Sequence, residues 1–243
     1  MLSPDVQARL LVAQVAQMSY KPNEAVCAQL REKSLVMCVG PVAIGKSYIM
    51  NKVIDIDSDF RRVPVFTTRE ARSDDEPGMF RAVEHNDKNV SRILDQIDAG
   101  EIVQYVVHPT TGRIYGSTPD DYPGNFNLLA MMSGVVKQLQ NIPFKDNYII
   151  GLAASPDTWI ERLAIRYPSQ TDEKAKRLGE ATSSLSWLLG DEQVGIVKWV
   201  LNSTNEPEKT ALSLIDIVKY NKEDSKTAAN DARQMLKLVK EML

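Results

Sequence analysis

The chain of 243 residues is long enough to bury one substantial core carrying an inserted lobe and helical additions. Hydrophobic residues at 43% and charged residues at 25% are ordinary for a water-soluble globular protein, and no run approaches the roughly 20 apolar residues of a membrane span. A net charge of −3 gives no long-range attraction to the phosphate backbone of DNA or RNA, so neither a membrane nor a nucleic-acid polymer is an expected partner, and any grip on phosphate must be local. The opening MLSPDVQARL lacks the basic flank and apolar centre of an export signal, so a cytoplasmic address is expected.

In chain order, Ser3-Pro4 reads as a helix cap with proline in the first turn. Val6, Leu10 and Ala13, with Leu11, Val15 and Met18 beside them, recur at helical spacing, which predicts a helix over 4–19. Pro22 and Asn23 break it, and Glu24 to Glu32 predict a second short helix. This hairpin of residues 1–33 is expected to pack on the core or to make an oligomer contact. Cys27 and Cys38 lack paired spacing, and His85 and His108 are not set out like metal ligands.

Leu35 to Val39 is a continuous apolar run, as expected of a strand covered on both faces, and Lys46 to Ile54 predicts the helix that follows. Further apolar runs at Asn127 to Met132, Tyr148 to Ala153 and Gly195 to Leu201 alternate with helical segments, the signature of a parallel sheet. Between Val63 and Pro123 the texture changes to short strand-like pieces, VPVFTTR, EIVQYVVH and RIYGS, with a turn at Thr111-Gly112. These predict an inserted, largely antiparallel lobe over 63–123. Helices are predicted over Pro156 to Tyr167, Thr171 to Leu189, Glu206 to Asn221 and Asp224 to Leu243. The last places Ala228, Ala232, Met235, Leu236 and Val239 on one stripe suited to docking on the core or on a second subunit.

The stretch Gly40-Pro-Val-Ala-Ile-Gly45-Lys46-Ser47 fits G-x-x-x-x-G-K-[ST]. In that pattern successive backbone N–H groups curve round a β-phosphate, the lysine neutralises the β and γ groups, and the hydroxyl ligates Mg²⁺. Its place between a buried strand and a helix is the context the pattern requires, and the helix adds its positive N-terminal end. A second set of charges follows in VFTTREARSDDEPG, where Arg69 and Arg72 stand three apart, a spacing suited to a second anion site.

At these residues the chain resembles the guanylate kinase family. Thr67, Thr68, Arg69, Arg72, Asp75 and Gly78 match the acceptor signature of that family in order, and IYGST (Ile114 to Thr118) resembles its segment beside the acceptor nucleotide. SPDTWIERLAIRYPSQTDEKAKRLGEA resembles the family lid, with Arg162, Arg166 and Arg177 at its spacing, and WVLNST resembles its late strand, with Asn202 near the adenine. The resemblance covers roughly 34–220. It implies a P-loop α/β fold with a parallel sheet flanked by helices, a small nucleoside-monophosphate-binding lobe and a helical lid at about 165–178. A core domain would then span 34–222, followed by a helix at 223–243.

The implied reaction is GMP + ATP to GDP + ADP, with ATP and Mg²⁺ as cofactors. Lys46, Arg166 and Arg177 are the implied catalytic residues, and Gly40, Gly45, Lys46, Ser47, Tyr48, Arg162 and Asn202 would face the donor. Arg69, Arg72, Asp75, Arg81, Gln104, Tyr115 and Ser117 would face the acceptor, and Ser47 the metal. The departures cluster on the acceptor side. Val65 and Arg81 stand where the family has serine and tyrosine, and Gln104 stands where a glutamate accepts from guanine. Ala130 and Met131 replace strand-end carboxylates. A glutamine amide offers one acceptor and one donor, so a different or modified acceptor base is an alternative. A non-catalytic binding module is another, although Lys46 and Ser47 are kept.

Overall fold

The computed structural model describes residues 2–71, 75, 78–168, 172–203 and 205–243. Helix α1 (Pro4–Ala16) begins with proline in its first turn and buries Val6, Leu10 and Ala13, one face at i, i+4, i+7; a 3₁₀ turn over Gln17–Ser19 ends it. Helix α2 (Glu24–Leu30) starts where the Asn23 side chain accepts the Val26 N–H. Strand β1 (Ser34–Val39) is buried at every position and leads through the glycine loop into α3 (Lys46–Ile56).

After β2 (Phe60–Arg62), β3 (Val65–Thr67) and β4 (Phe80–Ala82) comes α4 (Asp87–Asp98), then β5 (Gln104–Val107) and β6 (Ile114–Ser117). Strand β7 (Phe126–Met131) and α5 (Ser133–Gln140) precede β8 (Asn147–Ala153). The chain closes with α6 (Pro156–Arg166), α7 (Asp172–Leu188), β9 (Val197–Leu201), α8 (Pro207–Tyr220) and α9 (Lys226–Glu241).

Among the described residues the larger sheet has the order β2-β7-β1-β8-β9. β1 pairs parallel with β8 from Leu35↔Asn147 to Val39↔Gly151, and β8 pairs parallel with β9. β1 therefore lies between two strands that come much later in the chain. In open sheets of this class the crevice beyond the carboxyl end of such a strand is where ligands bind, and here that end carries the glycine loop. The fold is the P-loop type of α/β sheet flanked by helices, with a second, smaller sheet, as the sequence predicts.

The chain divides into two compact units. The first comprises Met1–Ser34, Arg61–Asn127 and Lys137–Asp146; the second comprises Leu35–Phe60, Leu128–Val136 and Asn147–Leu243. The first unit holds the small sheet, order β4-β3-β6-β5. β3–β6 and β5–β6 are antiparallel, but β3–β4 is parallel, so the sheet is mixed.

Helix α4 also departs from the strand-like reading of this lobe. Asn86 caps it by accepting the Asn89 N–H, and Val90, Ile93, Leu94 and Ile97 bury one stripe. That stripe joins Val6, Leu10 and Ala13 of α1 and Phe66, Ile102, Tyr105, Val107 and Ile114 in one core, so the N-terminal helix belongs to the core of the lobe. Gly116 is obligatory there: a Cβ would lie 2.5 Å from Phe66 Cζ and 2.8 Å from the Gln104 carbonyl.

In the second unit α3 packs on α8, and Lys219 of α8 joins Asp57 at 2.8 Å and Asp59 at 2.6 Å. Ala228, Ala232, Met235 and Val239 of α9 are buried against α6, α7, β8 and β9, with Leu236 half-buried, so this chain itself covers the terminal stripe. Among the described residues no helix is long and apolar enough to cross a membrane.

Candidate active site

The glycine loop is shaped by its backbone. At Gly40 a Cβ would lie 2.9 Å from the Leu152 carbonyl oxygen, so the chain leaves β1 without a side chain. Ala43 (φ 61°) and Gly45 (φ 88°) take the left-handed conformation, and a Cβ at Gly45 would fall 2.6 Å from Asn202 Nδ2.

Side chains then engage the loop carbonyls. Trp159 Nε1 donates to Val42 O at 2.9 Å, and Asn202 Nδ2 donates to Ile44 O at 2.7 Å, with Arg162 Nη1 at 3.4 Å from the same oxygen. Lys46 Nζ donates to Gly40 O at 2.7 Å and Pro41 O at 3.0 Å. Among the described residues, the backbone N–H groups from Val42 to Lys46 donate to no protein acceptor. They stand at the N-terminal end of α3, a run of donors at a partial positive charge suited to an anion.

Charge reinforces this. The Lys46 ammonium is desolvated, which pushes its pKa down to about 8, and the Arg166 charge pushes in the same direction. A buried ammonium within reach of a second cation is the converse of a satisfied ion pair, and an entering polyanion would relieve it. Arg166 ends α6; Arg177, on α7, pairs with Glu180 at 2.7 Å. Ser47 lies in the first turn of α3.

A cavity of about 350 Å³ opens beside the loop, lined by Gly45, Tyr48, Arg162, Asn202, Ser203 and Pro207. Arg162, whose pKa desolvation lowers, reaches the Asn202 carbonyl at 3.2 Å. A phenol ring, a guanidinium plane and a proline face suit a flat heterocycle.

Mg²⁺ wants oxygen ligands in an octahedron and is commonly held by one or two protein groups, phosphates and water. The Ser47 hydroxyl fits that role. The carboxyl end of β7 offers Ala130 and Met131 instead of a carboxylate, Asp57 and Asp59 are engaged by Lys219, and no cluster of three metal-binding side chains occurs among the described residues. The ion would therefore lean on phosphate oxygens and water.

In the first unit, register places Thr67, Gln104, Tyr115 and Ser117 on one face of the small sheet, since Gln104 stands opposite Ser117 and Thr67 opposite Tyr115. Arg69 forks onto Asp75, Nη1 to Oδ2 at 2.8 Å and Nη2 to Oδ1 at 2.5 Å. Its guanidinium also stacks 4.7 Å from the Phe80 ring, which meets Tyr115 edge-on at 6.2 Å. Arg72 lies outside the described residues.

Ser117 Oγ and the Tyr122 hydroxyl, both fully buried, are 2.8 Å apart. Gln104 is only 5% exposed and shares this face. Arg81 stands apart from this group. It registers opposite Phe66, on the other face, and pairs with Asp121 at 2.9 Å. Trp159, Phe80 and Tyr122 escaped the sequence reading, because a lone aromatic carries no local sign of which backbone carbonyl or charged group it will meet.

No protein-family profile matches the sequence, and no curated protein does. Among solved structures, the chain is similar to guanylate kinase from Anaplasma phagocytophilum. The likeness is at 15% identity and a TM-score of 0.44, over 82% of this chain and 89% of that one.

Proposed function

We propose that this protein transfers the γ-phosphoryl group of ATP to a nucleoside monophosphate, with GMP as the favoured acceptor. The observation that carries the reading is the run of amides from Val42 to Lys46 that no acceptor among the described residues engages, beside a desolvated lysine. In this reading the amides and Lys46 take the β- and γ-phosphates, and the cavity between Tyr48, Arg162 and Pro207 takes adenine. Asn202 holds the loop to the wall of that cavity. Ser47 would hold Mg²⁺, which would supply neutralising charge to the phosphates.

Phosphoryl transfer needs aligned oxygens and screened charge more than covalent help. Arg166 and Arg177 are assigned to the equatorial oxygens of the transferring group, where Arg177 would exchange Glu180 for phosphate. On the acceptor, Arg69 and Arg72 take the monophosphate and Tyr115 adds its hydroxyl, with Asp75 aligning the Arg69 fork. Arg81, already paired with Asp121, is left out of this assignment.

Gln104 and Ser117 are assigned to the base. An amide meets a neighbouring donor and acceptor, as on the O6/N1–H edge of a 6-oxopurine, but does not reward the 2-amino group as a carboxylate would. A buried amide where a carboxylate would serve guanine therefore favours a second reading, a kinase for a different or modified nucleoside monophosphate. A coupled assay with ATP across GMP, dGMP, AMP, UMP and CMP tests both. Turnover of GMP supports the first, turnover of another acceptor alone supports the second, and silence across the panel refutes both.

A further inference from the structure

Helix α1 is apolar round most of its circumference, and only part of that surface is covered. Val6, Leu10 and Ala13 face the lobe core. At 3.6 residues per turn Ala8, Leu11, Val12, Val15 and Ala16, with Met18 in the turn that follows, fall on an adjoining arc, and all are exposed. Leu11 is 63%, Val12 69%, Val15 85% and Met18 60% accessible. No charge interrupts the arc between Ala8 and Met18, and Asp5 stands exposed on it one turn nearer the start of the helix. On one flank are Gln7 and Gln14, and on the other Arg9 is neutralised by Asp95 at 2.8 Å and Asp98 at 2.7 Å.

Beside this ridge lies a groove of about 460 Å³ between α1 and α4, lined by Val12, Ala16, Leu94, Ile97 and Tyr105 and by the ion pair of Arg9 with Asp98. Hydrogen bonds hold its walls: the Tyr105 hydroxyl donates to Ala13 O at 2.9 Å and the Tyr20 hydroxyl to Ile102 O at 2.6 Å. At the start of the helix Ser3 N–H donates to Asp87 at 2.9 Å. The surface is thus preorganised, and little ordering entropy would be lost when it is covered.

We propose that the occupant of this face is a second copy of the same chain. Two α1 helices would pair about a twofold axis, the Leu11–Val15–Met18 ridge of each entering the α1–α4 groove of the other. A twofold interface must be self-complementary, and here ridge and groove lie side by side on one surface, as that symmetry requires. Ala8 and Ala16 are small enough for the helices to approach closely.

The area agrees. The six side chains expose on the order of 500 Å² per copy, so pairing removes about 1,000 Å² in total, the lower limit for a specific interface. The flanks argue against a lipid surface, because a helix that lies on a membrane carries lysine and arginine along its polar edge. Here the polar positions are glutamine, Asp5 and one arginine already balanced by two carboxylates. An apolar ridge whose nearest cation is already paired suits an apolar partner, and another copy provides one.

Sedimentation velocity on the full chain from about 1 to about 100 µM, a range that brackets micromolar dissociation constants, tests this. The expected result is a reversible monomer–dimer equilibrium. Val15→Glu, which puts two carboxylates into the apolar contact, should raise the dissociation constant at least ~30-fold. Because Val15 is exposed in the single chain, the circular dichroism spectrum of the variant should be unchanged. A wild-type monomer throughout that range overturns the proposal, and so does a Val15→Glu variant that dimerises as before. Monomers that instead co-sediment with phosphatidylserine vesicles would overturn it as well.

Discussion

Lys46→Met keeps most of the side-chain length and removes the ammonium. In the wild type, desolvation first and Arg166 second lower the Lys46 pKa from 10.5 to about 8. At about 1.4 kcal/mol per pH unit the gap corresponds to about 3 kcal/mol, an upper bound because the residue keeps part of its surface in water. Between pH 8 and 10.5 the unfolded chain holds this proton and the folded one has released it. Unfolding then takes a proton up, and stability rises with pH across that window, while below pH 8 the contribution is flat.

The variant has no such term, so at pH 7 it should be relatively favoured, and its margin over the wild type should shrink as pH climbs through the window. Paired urea melts followed by tryptophan fluorescence measure the difference at each pH and cancel groups common to both chains. A difference that stays constant, or moves the other way, refutes a desolvated ammonium. The same logic extends to ligand. A triphosphate restores the charged form, so ATP binding at pH 8 should draw in about half a proton, read by titration calorimetry in buffers of different ionisation enthalpy. Phosphoryl transfer by the variant should fall by orders of magnitude.

Gly45→Ala meets both a left-handed φ and Asn202 Nδ2 at 2.6 Å, so it should cost about 1–3 kcal/mol and remove the rise in melting temperature caused by ATP. Trp159→Phe deletes the donor to Val42 O inside a buried contact; a loss of about 1–3 kcal/mol and a higher KM for ATP are expected from melts and kinetics. Gln104→Glu supplies two acceptors to the base, and the kcat/KM ratio of GMP over IMP should rise by about tenfold or more; an unchanged ratio would remove Gln104 from base recognition.

The parts readable from sequence are those whose cause is local. The strand, the glycines, Lys46 and the following helix lie within about twenty consecutive residues, and the loop geometry grows directly out of them. The stripes of α1 and α9 were legible for a similar reason, because helical periodicity survives without knowledge of the partner. Helix α4 was hidden by its short strand-like neighbours, although Asn86 and the spacing Val90, Ile93, Leu94, Ile97 were cues to it. Register was not legible at all. Whether Arg81 shares a face with Tyr115 or with Phe66 depends on which residues of β3 and β4 stand opposite one another, and no local pattern encodes that pairing. Nor does the sequence reveal that Trp159 fastens the loop from a helix 117 residues away.

Phosphorus NMR of the full chain with ATP, Mg²⁺ and GMP tests the central claim most directly, since it resolves every phosphoryl group without coupling enzymes. The account predicts that the ATP γ resonance decays while the β resonances of ADP and GDP grow in equal amounts, and that Lys46→Met abolishes the change. Inorganic phosphate appearing in place of GDP, or unaltered spectra with GMP and with each of the other monophosphates, would contradict it.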